Sequence, residues 1–468
     1  MSLLGKLLAV LFGLLFGGLL IFLSPAKMLL ALVAAGGAIT IIRTPMIGLL
    51  LFAVIATLIP YTTVQLGIRI TLSEAMLGLT WIGVGFQLLT GQRQWHIGLT
   101  ERRLLWLMAF SLIPFIVGQL TVQAEGNGPV NWVRWLLNLS PLLLVPIVVD
   151  DDRTRERLIV ALLLGTLAML LLSIGYFVRY RDANSFIPLL ETLKYAHPEA
   201  VKDIFSANYT RMASPWVHPN LTGGVLVLFL PLAFFYALVR HGWRRLLGGS
   251  VALLGAAGLL LSGSRGAIVS LALVLIWLSW RRAPFAGRII GTAMVLGVAL
   301  VLFYPPLQER LIITFSSTNA STEIRMDEYR HFPEAMSRYP LGIGFKTEPP
   351  PPDTGLLGIS NVWLNFIYKM GIPGMLLFIA VTAAWWREGR PRGSLDRLSG
   401  PHAIWVGCSA GLLAALLTGL FDHYFSFTMV LIALFWMVMG LNLQLARSSL
   451  PGQPLRLNDT LIDRKDVQ

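Results

Sequence analysis

The amino-acid sequence predicts an all-α fold, a polytopic membrane bundle of about twelve to fourteen transmembrane helices. Three observations lead there. Hydrophobic residues fill 55% of the 468 positions and charged residues only 13%, whereas soluble domains carry about 25% charged residues. The mean hydropathy is +0.69. Apolar runs near the bilayer-crossing length of about 20 residues recur along the whole chain. A backbone at that depth has no water to bond, so the runs are expected to be helices.

The first run covers roughly residues 3–23. Its segment MSLLGKLLAVLFGLLFGGLLIFLSPAK mimics a secretory signal in outline. The apolar stretch is too long for one, and no small-x-small cleavage pattern follows, so it is read as a retained first helix. Further runs lie at roughly 26–42, 45–60, 72–90, 104–121, 131–149 and 158–178. After a polar interval they resume at 220–239, 247–262, 266–280 and 288–304, and after a second interval at 361–385, 403–421 and 427–446. Several are short, which gives the range in the count.

A net charge of +13 would suggest nucleic acid in a soluble protein. Here it falls in the loops that orient membrane helices. Arg102–Arg103, Arg153/Arg155/Arg157, Arg240/Arg244/Arg245, Arg281–Arg282 and Arg387/Arg390/Arg392/Arg397 occupy alternate loops. Alternation from a cytoplasmic N-terminus puts all five clusters, and both termini, on the cytoplasmic side. The expected organisation is N-terminal transmembrane helices over 1–178, an external loop over 179–219 and transmembrane helices over 220–304. A large external loop over 305–360, C-terminal helices over 361–446 and a cytoplasmic tail over 447–468 complete it. The one cysteine, Cys408, excludes an intrachain disulfide.

Both external loops are expected to carry short helices. In STEIRMDEYRHFPEAM, Arg325, Tyr329, Phe332 and Met336 share a helical face, and Pro333 is expected to kink or restart that helix. Gly342 and Gly344 give a sharp turn. Pro349–Pro352 read as a stiff polyproline spacer between that turn and the next membrane helix.

Candidate chemistry gathers on the external side. Arg211, Arg265 and Arg325 break the positive-inside pattern. Arg265 sits in a Ser-Gly-Ser-Arg-Gly turn joining two apolar runs, too short to carry its charge far from the membrane boundary. The competing reading is an arginine that snorkels to headgroups. Small residues around Arg265 leave room for an anion, and the helix expected to start at Asn220, after Arg211, also favours one. Guanidinium forks bind phosphate oxygens in pairs, so converging arginines suit a phosphate or diphosphate. Asp422 and His423, in a short external turn, could form a base with its orienting carboxylate, or simply polar tips of a hairpin. His197, His218 and His331 also fall outside; His96, His241 and His402 fall in cytoplasmic loops. Asp150–Asp152 are read as a solvated helix flank, and no zinc-site spacing occurs.

The order of these pieces resembles the bacterial O-antigen ligase and O-antigen polymerase superfamily. Arg211 precedes Pro219–Asn220, and Ser264–Arg265–Gly266 follows two runs later. Arg325 and Tyr329 lead into Pro340–Gly344, and SNVWLNFIYKMGIPG (Ser360–Gly374) opens the next helix. The resemblance covers roughly 205–445. It implies a GT-C-like membrane glycosyltransferase in the bacterial cytoplasmic membrane, with its site facing outward. The implied donor is an undecaprenyl-diphosphate-linked glycan and the implied acceptor a glycan or lipid, with no nucleotide sugar, metal, other cofactor or nucleic acid. Arg211 and Arg265 would bind the diphosphate and Arg325 would join them; Asn220, Gly342, Gly344 and Asn361 would position the site. The family places histidine where this chain has Ser360, and serine is a poor base at neutral pH. His423, oriented by Asp422, is named as the replacement ahead of His331. Ligase and polymerase stand level. The other class is a lipid or polysaccharide transporter or flippase, which calls for charged residues along a path across the bilayer; an inactive relative is the third.

Overall fold

The computed structural model describes residues 24–66, 68–122, 126–180, 187–195, 211–213, 215–291, 320–346, 358–392 and 400–448, and isolated positions 295, 302, 356, 395, 396 and 398. The expected first helix at 3–23, most of 288–304, His197, the four prolines and the tail beyond Ser448 lie outside these residues.

Helices dominate. In chain order they begin with α1 (Pro25–Arg43) and α2 (Pro45–Leu58), followed by strands β1 (Thr63–Leu66) and β2 (Ile68–Thr71). Then come α3 (Leu72–Leu89), α4 (Leu99–Phe110), α5 (Leu112–Thr121), α6 (Gly128–Leu139), α7 (Pro141–Val148), α8 (Asp152–Tyr180) and α9 (Ile187–Thr192). The second half holds α10 (Pro219–Val239), α11 (Gly242–Ser262), α12 (Arg265–Trp280) and α13 (Ala320–Arg338). It closes with α14 (Val362–Gly389), α15 (Gly400–Thr418), α16 (Tyr424–Phe427) and α17 (Met429–Ser448). Among the described residues ten helical segments are long and apolar enough to cross a membrane; two of them join α4 with α5 and α6 with α7. α2 and α12 are shorter apolar helices. The chain is thus an all-α polytopic membrane bundle, and twelve of the apolar runs read from the sequence coincide with these segments. The expectation of helix almost throughout misses one feature, the antiparallel pair β1–β2, with Thr63 opposite Thr71. Thr71 then opens α3 through a capping box with Glu74.

The centre of the bundle is α17, where Val430–Leu443 is buried without interruption. Such an all-round apolar helix belongs inside a large bundle. The helices around it have lipid-facing sides: Leu29, Leu120, Leu253 and Trp280 are widely exposed.

α14 is broken, and the break positions the site. Gly371 has φ 68° and ψ 177° inside it, and Pro373 follows. Proline lacks the N–H that would bond the carbonyl four residues back, here that of Lys369. The turn after α13 supplies substitutes: Ile343 N–H donates to Tyr368 O (2.9 Å) and Gly344 N–H to Lys369 O (3.0 Å). Gly342 and Gly344, with φ of 82° and 69°, let this turn lie against the broken helix on one side and Pro114 and Gly118 of α5 on the other. The sharp turn read from the sequence is therefore a buried wedge. Lys346 fastens its exit to Gln119 O (3.0 Å) and Val122 O (3.1 Å). α13 runs through Pro333 as one helix; Phe332 and Met336 pack toward Ile343 and Tyr368, while Tyr329 stays exposed.

Candidate functional site

One end of the bundle gathers the ends of α10, α11, α12, α14 and α15. α11 finishes at Ser262 with Gly263 in the left-handed conformation (φ 60°) as its cap. Arg211 reaches across to this end: its Nε donates to Ser262 O at 2.7 Å and its Nη2 to Asn220 Oδ1 at 2.6 Å. Met212 N–H bonds Leu261 O (3.0 Å) and holds the segment in place. Asn220 opens α10 behind His218, whose Nδ1 accepts the Asn220 N–H at 3.1 Å. Burial, then Arg211 and His423, push the His218 imidazole down to about 4, so it is neutral near pH 7 and serves as a cap.

Asn220 continues the network to Asp422, donating through Nδ2 at 3.4 Å. Asp422 is buried at 7% exposure, with the Tyr424 hydroxyl beside it and Asn220. Burial raises the Asp422 carboxyl above its ordinary range, outweighing the opposing pull of His423, Tyr424 and Arg325. His423 turns its buried Nδ1 toward Asp422 Oδ1 at 3.4 Å, while 40% of its side chain remains exposed. That oxygen accepts the His423 backbone N–H at 3.0 Å, and Nδ1 itself makes no hydrogen bond among the described residues; a proton on Nδ1 would face the carboxylate and keep Nε2 as the basic nitrogen. The loop is anchored twice: Val362 N–H donates to Gly419 O (2.7 Å), and Asn365 donates to Ser426 Oγ (2.8 Å).

Arg325 on α13 approaches Asp422 Oδ2 at 3.9 Å. Arg265, exposed at the start of α12, is close enough to Arg325 to feel its charge. The small residues beside Arg265 are used for close packing. Ser264 fills the space opposite Gly223, and a Cβ on Gly266 would sit 2.7 Å from Phe421 Cβ. That contact sets Arg265 beside the Asp422 loop.

Ser360 and Asn361 tie α13 to this end. Ser360 donates to Glu328 twice, from its backbone N–H at 2.7 Å and from Oγ at 3.1 Å. Asn361 caps α14 by accepting from Trp363 N and Leu364 N, and donates to Leu420 O at 3.2 Å. Glu328 and Tyr424 are the members that sequence reasoning missed. Each had a signal: Glu328 lies one helical turn beyond Arg325, and Tyr424 follows the Asp422–His423 pair. His331 is not gathered with the others. It faces Asp327 on its own helix, with its Nδ1 3.0 Å from Asp327 O and 3.4 Å from Asp327 Oδ1.

Residues 250–379 match the family model described as O-antigen ligase. The match supports the O-antigen ligase/polymerase superfamily. It spans the Arg265 turn, α13, the Gly342–Gly344 wedge, Ser360–Asn361 and the break in α14. Arg211, Asn220 and the Asp422 loop lie outside it and join through the contacts above. No curated protein matches the chain significantly. A segment similar to the O-antigen ligase model, in a chain with ten membrane-length helical segments among its described residues, supports a membrane enzyme of cell-surface glycan assembly.

Proposed function

We propose that the protein transfers or polymerises glycan from an undecaprenyl-diphosphate carrier on the outer face of the bacterial cytoplasmic membrane. One observation carries this reading: at one end of the bundle Arg325 approaches the buried Asp422 carboxylate, Arg211 reaches it through Asn220, and Arg265 stands beside Phe421 of the same loop. Among the described residues the three guanidiniums outnumber the site's two carboxylates, Asp422 and Glu328, a bias that suits a diphosphate, and arginine binds such oxygens in pairs.

In the reaction, a hydroxyl oxygen of the acceptor forms a bond to the anomeric carbon of the carrier-linked sugar. The bond from that carbon to the diphosphate oxygen breaks, and the electron pair leaves with undecaprenyl diphosphate. The three arginines stabilise the charge that grows there. The hydroxyl proton passes to His423 Nε2, with Asp422 holding Nδ1–H and offsetting the imidazolium charge. Ser360 orients α13 through Glu328 and takes no proton. The opposite end of the bundle holds the basic clusters, which supports placing it in the cytoplasm and the loops over 179–219 and 305–360 outside.

Purified protein in proteoliposomes, given undecaprenyl-diphosphate oligosaccharide, is expected to yield longer lipid-linked chains or a glycosylated lipid acceptor. Carrier that crosses the bilayer with its glycan unchanged would replace this reading with the transporter one.

A further inference from the structure

A second site is built at the other end of the bundle. A cavity of about 760 Å³ lies where α8 begins, α10 passes into α11 and α15 begins. Its polar side carries Arg153, Arg155, Arg157, Arg240 and Arg244 against Asp152 and Glu156. Five guanidiniums less these two carboxylates and the neighbouring Asp151, which faces Arg153 and Arg155, leave two positive charges. The acids are already engaged: Asp152 pairs with Arg155, and Glu156 accepts from Arg240 at 2.6 Å and Tyr236 at 2.6 Å, with Arg244 at 3.5 Å. Arg240 retains unmet capacity, because its Nε is buried and makes no hydrogen bond among the described residues. A buried donor without an acceptor is costly to leave unpaired.

The other wall is apolar. Leu50, Val54, Ile159, Val160 and Leu164 line it, and Leu164 is 47% exposed on the outer surface of α8. Trp243, 58% exposed, stands at the rim, where an amphipathic ring suits a membrane interface. Free phosphate would satisfy the arginines and leave this wall uncovered. A zwitterionic lipid would bring its own cation to a site already in positive surplus.

We propose that this cavity binds the headgroup and upper acyl chains of an anionic phospholipid in the leaflet opposite the Arg211–Asp422 end. The phosphodiester accepts from Arg240, Arg244 and Arg157, and the chains lie along Leu50, Val54 and Leu164. The bound lipid joins α8, the α10–α11 corner and α15; the far ends of α10, α11 and α15 lie at the candidate site. The inference requires a membrane-embedded bundle and is independent of the transfer reaction.

The test uses the full chain in detergent, with lipid retention read by native mass spectrometry and unfolding by heat. Phosphatidylglycerol is expected to be retained and to raise the melting temperature; phosphatidylcholine and inorganic phosphate are not. Arg157→Gln/Arg244→Gln, both at exposed positions, is expected to weaken phosphatidylglycerol retention roughly tenfold or more. Arg281→Gln, a basic change away from the cavity, should leave it unchanged. On wild-type protein alone, added salt should erode the phosphatidylglycerol effect. Equal effects of phosphatidylcholine, full reproduction by inorganic phosphate, unchanged retention in the double variant, or no salt dependence would each overturn the proposal.

Discussion

At the scale of single residues, the Asp422–His423 pair and Ser360 carry different burdens. A base in the transition state contributes about 10²–10⁴-fold. His423→Ala is therefore expected to slow glycan transfer by that order, with the fold intact by circular dichroism. Ser360→Ala removes one of two hydrogen bonds to Glu328 and leaves the backbone N–H in place. A net loss of about 1 kcal/mol gives an effect of tenfold or less. Comparable rates measured in one membrane preparation for His423→Ala and wild type would remove His423 from the chemistry. A loss at Ser360→Ala as deep as that expected for His423 would restore Ser360 to it.

These residues also mark what the sequence reveals. The arginines stood out because they break a charge bias that the rest of the chain obeys. The Asp422 network did not, because its members are 200 residues apart and meet only through α10 and α15 packing side by side. The small residues beside Arg265 read as room for an anion, and the structure uses Gly266 for close approach to Phe421; spacing cannot separate an open turn from a tightly closed one. His331 shows the same limit: one helical face holds Arg325 and Glu328, and the histidine falls outside it.

At the scale of elements, the break in α14 and the wedge that fills it form one device. The apolar run over 361–385 located the helix as one uninterrupted span and did not show the break at Gly371; the partner that satisfies the freed carbonyls lies 25 residues earlier, beyond any local pattern. Gly342 has φ 82°, and a Cβ there would overlap the backbone of Lys369 and Met370. A strained left-handed residue costs roughly 1–3 kcal/mol before any overlap is counted. Gly342→Ala should lower the melting temperature clearly, whereas Gly37→Ala, with open space and ordinary helical geometry, should not. Equal melting temperatures for the two variants would contradict the wedge.

At the scale of the whole molecule, the two ends differ in kind. One closes in ion pairs such as Arg447 with Glu101 (2.6 Å) and Arg240 with Glu156. The other presents arginines around a carboxylate. An impermeant thiol reagent on intact cells should label His331→Cys and spare Arg245→Cys; the reverse pattern would invert the bundle. The central claim is that the arginine end handles a diphosphate leaving group through paired guanidinium bonds. The most direct measurement is release of undecaprenyl diphosphate, coupled to glycan transfer, by Arg265→Lys beside wild type in the same proteoliposomes. Lysine keeps the charge and loses the fork, so release is expected to fall nearly as far as in Arg265→Ala; wild-type release from the lysine variant would contradict the account.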